Sequence, residues 1–329
     1  MGGDMRKLLL AIAFAGALAS IGSVNAQVYP ARPVTIIVPF AAGGATDVIA
    51  RIFGEHLSRT LGQQFVIENV VGAGGTTGST RGMRGNPDGY TILLGQTGTH
   101  AAAVAFYPNL AYRPDLDFEP VGLLVTQPVV ISAKGNFPPK DLKEFIPYVQ
   151  ANFEKLNNAH AGVGSITHFS CLLLNSILGV KPTLVPFTGA APAINALIGG
   201  QVDYMCNTIL DVVQQVQGGT LKAYAIGTAE RSPALPNVPT SKEAGLPEFQ
   251  VSAWHALFAP KGTPKPILDK LSDALDKALD DENVRKRLFD LGCDIPGHIR
   301  RGRQPLAALV KSEIARWTPI IEAANIKGE

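Results

Sequence analysis

The order strand, glycine-rich loop, helix occurs four times in this 329-residue chain, twice in each half. In the first half, the β-branched run Val34–Pro39 leads into Phe40-Ala41-Ala42-Gly43-Gly44-Ala45-Thr46-Asp47. A helix follows to about Arg59, with Ile49, Ile52, Phe53 and Leu57 on one face and Gly62 as its stop. Phe65–Asn69 is the next strand, followed by Gly72–Gly78, a short helix, the turn Asn86-Pro87-Asp88-Gly89 and the strand Tyr90–Leu94. The second half repeats this order. Asn157–Ala161 exits through Gly162–Thr167 into a helix from His168 to Leu178, and Thr183–Pro186 exits through Phe187–Pro192 into a helix ended by Gly199-Gly200. Val202–Cys206 closes the second set. Alternating strands and helices of this kind demand parallel sheets covered by helices. Two α/β lobes are expected.

The remaining segments connect the lobes. Glu119–Ser132 reads as two extended runs broken by Pro128, and Tyr224–Gly227 and Phe249–Phe258 are further strands. Two C-terminal helices carry apolar faces, one through Leu268, Leu271 and Leu275, the other through Leu306, Val310, Ile314, Trp317 and Ile321. These faces need a sheet to cover, so the chain is expected to cross between lobes twice, near 128–132 and 245–252. The expected division is 27–129 plus 249–329 for one lobe and 130–248 for the other. Paired crossing strands make a natural hinge.

Ligands of parallel sheets bind beyond the carboxyl ends of the strands. Loops 40–47, 72–78, 162–168 and 187–192 occupy such positions, and none of them contains Lys or Arg. Small residues let the backbone approach a ligand, and each following helix offers unpaired N–H groups and the positive end of its dipole. A small carboxylate held by main-chain donors and hydroxyls is the chemistry that fits. The candidate binding residues are Phe40, Ala41, Ala42, Gly43, Ala45, Thr46 and Asp47 from the first loop and Gly75 from the second. Gln96 and Thr97 follow the third strand. Gly164, Ser165, Thr167 and His168 come from the third loop, Thr188, Gly189 and Ala190 from the fourth, and Asn207 and Thr208 follow the last strand. Asp47 also suits the first turn of a helix without any ligand, and Ser165 and Thr167 suit helix caps.

Composition narrows the class. Lys and Arg total 29 against 27 Asp and Glu, a net charge of +2, which lacks the basic footprint of a nucleic-acid binder. Arg6 and Lys7 precede the apolar run Leu8–Ala19, and Val24-Asn25-Ala26 ends a small polar segment. That is the pattern of an export signal over residues 1–26, cleaved near Ala26, which implies an exported protein without stable membrane insertion. Cys171, Cys206 and Cys293 are odd in number and lie in apolar contexts, so no disulfide is expected. Metal-ligand spacings are absent, and neither a metal nor a cofactor is expected. Gly72–Gly78 falls short of a dinucleotide loop because Thr77 stands at its sixth position. Ser165 lacks the Gly-x-Ser-x-Gly elbow of a serine hydrolase, although His168 lies three residues on. An exported esterase and a ligand-presenting sensor for a membrane kinase are alternative readings of the same cleft.

These motifs together resemble the periplasmic substrate-binding proteins of tripartite tricarboxylate transporters, the Bug family. The resemblance rests on Pro39–Asp47, Asn69–Gly78, Asn86–Thr91, Ala161–Ser165, Pro186–Ala193, Gly199–Asp203 and Arg231–Thr240. It implies a two-lobed, type II periplasmic-binding fold made of Rossmann-like lobes joined by two hinge strands. It also implies a dicarboxylate, tricarboxylate or aromatic acid held between loops 40–47 and 187–192, often through water, and delivery to integral-membrane permease subunits. The sequence departs from the family at Cys206-Asn207-Thr208, where relatives often carry Phe-Asp-Asn. Loss of an acid there suits an anionic or neutral ligand rather than one bearing an amine.

Overall fold

A computed structural model describes residues 29–323, so the expected export signal lies outside the described residues. Nine strands form one strongly divided sheet. β1 (Val34–Val38) lies between β2 (Phe65–Asn69) and β3 (Thr91–Gln96), all parallel. β9 (Ser252–Pro260) runs antiparallel to β3 and pairs on its other side with the first part of β4 (Phe118–Lys134). The second part of β4 lies between β8 (Leu221–Ile226) and β7 (Tyr204–Thr208). β5 (Asn157–His160) and β6 (Thr183–Pro186) extend that side in parallel with β7.

β4 is therefore one 17-residue strand rather than two. Pro128 interrupts nothing, because it falls where β4 changes partners: Pro128 faces Ser252 of β9, and Val129 faces Thr208 of β7. The second crossing sits beside it. Val129 donates to the Val251 carbonyl at 3.1 Å and accepts from Gly227 at 2.8 Å. Two adjacent extended segments thus carry the chain between the lobes.

The helices follow the expected faces. α1 (Ala45–Leu61) buries Ile49, Ile52, Phe53 and Leu57 and ends at Gly62 in the left-handed conformation. Facing it, α8 (Lys265–Asp280) contributes Leu268, Leu271 and Leu275 to the same core. Each such side chain, fully buried, contributes about 1.5–3 kcal/mol. α2 (Thr76–Met83) and α3 (Ala103–Phe106) complete the first lobe. The second lobe carries α4 (Leu142–Asn152), α5 (Ile166–Leu178), α6 (Ala190–Ile198) and α7 (Ile209–Gln217). α9 (Glu282–Asp290) packs beside α8, and α10 (Arg303–Ala323) closes the described chain. α10 does more than cover the first lobe. Its Trp317 ring lies 6.0 Å from Phe169 of α5, so it touches both lobes.

Candidate binding site

Four helix N-termini converge on one chamber between the lobes. Its walls are Gly44, Ala45 and Thr46 at the start of α1, Ser165, Ile166 and Thr167 at the start of α5, and Ala190 at the start of α6. Thr208 and Asp211 add the start of α7, and Phe40, Gln96, Ala161 and His255 complete the lining. Among the described residues, no Lys or Arg lines it. The chamber encloses about 30 Å³ open to the centre of a water-sized sphere, which is room for about two waters.

The expected residues divide into three groups. Phe40, Ala45, Thr46, Gln96, Ser165, Thr167, Ala190 and Thr208 meet in the chamber. Gly75 and Thr188 line a separate outer cavity of about 480 Å³, which shares Phe40 and Ala161 with the chamber. Loop 72–78 therefore flanks the entrance rather than the interior, and α7 takes the place expected for it. A third group stands outside both cavities. Ala42 is exposed, and Ala41 donates to the Thr188 carbonyl at 3.3 Å across the lobes. Gly189 backs onto Ala41. Thr97 accepts from the Trp254 N–H at 2.8 Å, and the Asn207 amide donates to Ser132 Oγ at 2.7 Å.

Asp47 is committed to its own loop. Its carboxylate accepts from Gly43 N at 3.0 Å, from Arg51 at 2.8 and 3.0 Å, and from Asn69 at 2.9 Å. Burial pushes this carboxyl up, but the Arg51, Gly43 and Asn69 hydrogen bonds prevail and hold it below the usual range. Asp47 shapes the loop that presents the α1 N-terminus. Gly164 and His168 are paired with each other, the Gly164 N–H donating to His168 Nδ1 at 3.2 Å. Ser165 Oγ accepts from the His168 N–H as the α5 cap and lies 2.9 Å from Thr167 Oγ1. The His168 ring therefore does not serve as a base for Ser165.

Asp211 and His255 escaped sequence reasoning. Asp211 Oδ1 accepts from the Ala45 N–H at 2.7 Å, joining α7 of one lobe to α1 of the other, and Oδ2 accepts from Thr208 Oγ1. Burial pushes this carboxyl up to about 6 despite those bonds. Thr208-x-x-Asp211 has capping-box spacing, which flags a helix start but not the facing lobe. His255 Nε2 lies 3.1 Å from Thr46 Oγ1, and its Nδ1 lies 3.3 Å from the Gln127 amide. Burial lowers its pKa to about 3, so the ring is neutral at ordinary pH. No periodic signal distinguishes this histidine from its apolar neighbours in β9.

The lobes meet closely around the entrance. Tyr107 donates to the Val163 carbonyl at 2.7 Å and reaches the Ala73 carbonyl at 3.2 Å, and Gly74 lies against Val163. A wider depression of about 930 Å³, open to solvent, runs over the first lobe from Tyr107 and Ala73 to Arg81 and Arg84.

Two sheets joined by paired hinge strands, with helix N-termini facing a shared cleft, define a periplasmic-binding-protein fold. Within that class, residues 49–326 match the model of the tripartite tricarboxylate transporter family receptor, and the chain belongs to that family. The family is one of binding receptors rather than enzymes. The chain is similar to MatC from Rhodopseudomonas palustris, solved with bound malate, at 53% identity, with 89% and 100% of the two chains covered and a TM-score of 0.87. It is also similar to the periplasmic binding protein BugD, at 42% identity over 92% and 100% of the chains with a TM-score of 0.89. A third similar structure is a Rhodopseudomonas palustris protein with adipate, at 31% identity over 91% and 99% with a TM-score of 0.86.

Proposed function

We propose that this protein captures a small organic carboxylate in the interlobe cleft, with a carboxylate seated in the chamber and the rest in the adjoining outer cavity, and delivers it to the permease subunits of a tripartite tricarboxylate-type transporter. The observation that carries this reading is the convergence of four helix N-termini on a chamber that, among the described residues, no Lys or Arg lines. Free N–H groups and helix dipoles stabilise an anion there, each dipole by about 0.3–1 kcal/mol and each charge-assisted hydrogen bond by about 1.5–3 kcal/mol. Several such contacts are compatible with micromolar affinity, near −8 kcal/mol. Malate in MatC and adipate in a second similar structure support a dicarboxylate as the ligand. Receptors of this family act in the periplasm, and export through residues 1–26 accords with that.

Residues 29–129 with 249–323 move as one lobe and 130–248 as the other, about the partner change at Pro128/Val129 and the antiparallel crossing beside it at Val251/Ser252. Closure forms a surface spanning both lobes, which a permease reads as the loaded state.

A thermal-shift screen of dicarboxylates, tricarboxylates and aromatic acids against neutral and cationic solutes tests the ligand class. Stabilisation confined to carboxylates is the expected outcome. Stabilisation by neutral or cationic solutes alone overturns it. Uptake of the identified acid by cells carrying the permease, measured with and without this protein, tests delivery.

A further inference from the structure

We propose that Asp211 is the specificity-determining residue of the chamber, selecting ligands that carry a hydroxyl or another hydrogen-bond donor beside the carboxylate seated on α1. The inference rests on the carboxylate reading above and goes beyond it by naming what stands next to that carboxylate.

Two donors at the start of α1 are already engaged. Gly43 N–H serves Asp47, and Ala45 N–H serves Asp211 from the opposite lobe at 2.7 Å. A ligand carboxylate that takes the Ala45 N–H displaces the Asp211 oxygen from it. The freed oxygen faces a chamber that no Lys or Arg lines among the described residues. Thr208 still serves the other oxygen, but a carboxylate oxygen left there without a donor, beside a second carboxylate, is unfavourable. Two remedies exist. A hydroxyl on the ligand carbon next to the carboxylate donates to Asp211, or Asp211 takes up a proton and donates it to the ligand.

The two remedies differ in their proton balance. A hydroxylated ligand binds without proton uptake. A ligand lacking the hydroxyl binds with uptake of one proton onto Asp211, and its affinity falls about tenfold per pH unit once the free carboxyl is ionised. The other titratable groups facing Asp211 stay in one state near neutrality. Asp47 of α1 is held ionised by Arg51, His255 of β9 is kept neutral by burial, and burial holds the Cys293 thiol protonated beyond α9. Asp211 itself sits poised, its carboxyl raised to about 6.

Calorimetric titration of two matched pairs, malate with succinate and mandelate with phenylacetate, between pH 7 and 9 tests the proposal, because all four acids are then fully ionised. For a pair that binds, the dissociation constant of the hydroxylated acid is expected to stay flat. That of its partner is expected to rise about tenfold per pH unit. In Asp211→Asn, whose amide is both donor and acceptor at every pH, the slope is expected to vanish and the preference to fall to within a few-fold. Parallel pH profiles within a wild-type pair overturn the proposal, as does an undiminished preference in Asp211→Asn. The wild-type profiles decide the matter alone if that variant does not fold. Equal profiles with retained affinity leave the carboxylate reading standing, whereas failure of all four acids to bind overturns this proposal, and failure of every carboxylate in the wider screen overturns both.

Discussion

The Tyr107 hydroxyl donates a 2.7 Å hydrogen bond to the Val163 carbonyl, tying the first lobe to the second at the mouth of the cleft. Tyr107 stands just beyond α3, and Val163 lies in the loop that opens α5. The bond exists only while the lobes are together. Tyr107→Phe removes it and leaves the ring in place, so closure loses about 1 kcal/mol. Ligand affinity is expected to fall about fivefold by calorimetry, with the melting temperature of the protein alone nearly unchanged. Unaltered affinity would mean that closure does not depend on this contact.

Gly74 offers a sharper handle on the same motion. A Cβ built there stands 1.9 Å from the Val163 carbonyl oxygen, a backbone atom of the facing lobe that cannot rotate away. Its φ of +60° adds a cost of roughly 1–2 kcal/mol for alanine. Gly74→Ala is therefore expected to hold the lobes apart. The radius of gyration by small-angle scattering should stay at the open value when ligand is added, and affinity should drop at least about a hundredfold. Closure on ligand addition in this variant would contradict the arrangement at the entrance.

Four buried histidines set the acid limit of stability. Burial lowers His100, His168 and His255 to about 3 and His160 to about 4. These rings bind protons on unfolding but not when folded. Their contribution is fully present above the usual histidine value of about 6.5 and is lost as pH falls toward the lowered values. Each removes up to about 1.4 kcal/mol per pH unit in that window. Denaturant unfolding between pH 7 and 4.5 is expected to show a steep loss of stability, and a flat profile would mean that these rings are solvated.

Asp211 acts in the opposite direction. Its raised value favours the protonated, folded form, so its contribution is present below about 4 and is lost as pH rises through about 6. At pH 8 the ionised carboxyl costs roughly 1–3 kcal/mol, allowing for solvent screening of a half-buried group. Asp211→Asn is expected to melt a few degrees above the wild type at pH 8 and at the same temperature near pH 4. A difference that does not change with pH would place its cause elsewhere.

The architecture was legible because it rests on local rules. Gly44 before Ala45, Gly62 after Leu61, and Ile49, Phe53 and Leu57 on one face specify α1 within a single stretch of chain. The β5–α5 and β6–α6 units repeat that grammar, with Ser165 as the α5 cap and Gly179 as its stop. Pro128 misled for a definite reason. A proline ends a strand when its missing N–H is needed in the ladder, but here it sits at the change of partners between β9 and β7.

The site was legible only to the level of its loops. The sequence by itself determined that glycine-rich loops without Lys or Arg lead into helices, because turn chemistry and capping are set by neighbouring residues; it pointed to all four loops, of which three meet in the chamber. Tertiary structure decided which atoms face one another. Asp211 meets Ala45 across 166 positions, His255 meets Thr46 across 209, and Asp47 turns away from the chamber to hold Arg51 and Asn69. The first of those meetings depends on where two hinge strands set one lobe against the other, the others on how β9, α1 and β2 pack within the first lobe, and no local pattern encodes either arrangement. The strand, loop and helix order that repeats along the chain fixed the parts, and the crossing beside Val129 fixed the cleft.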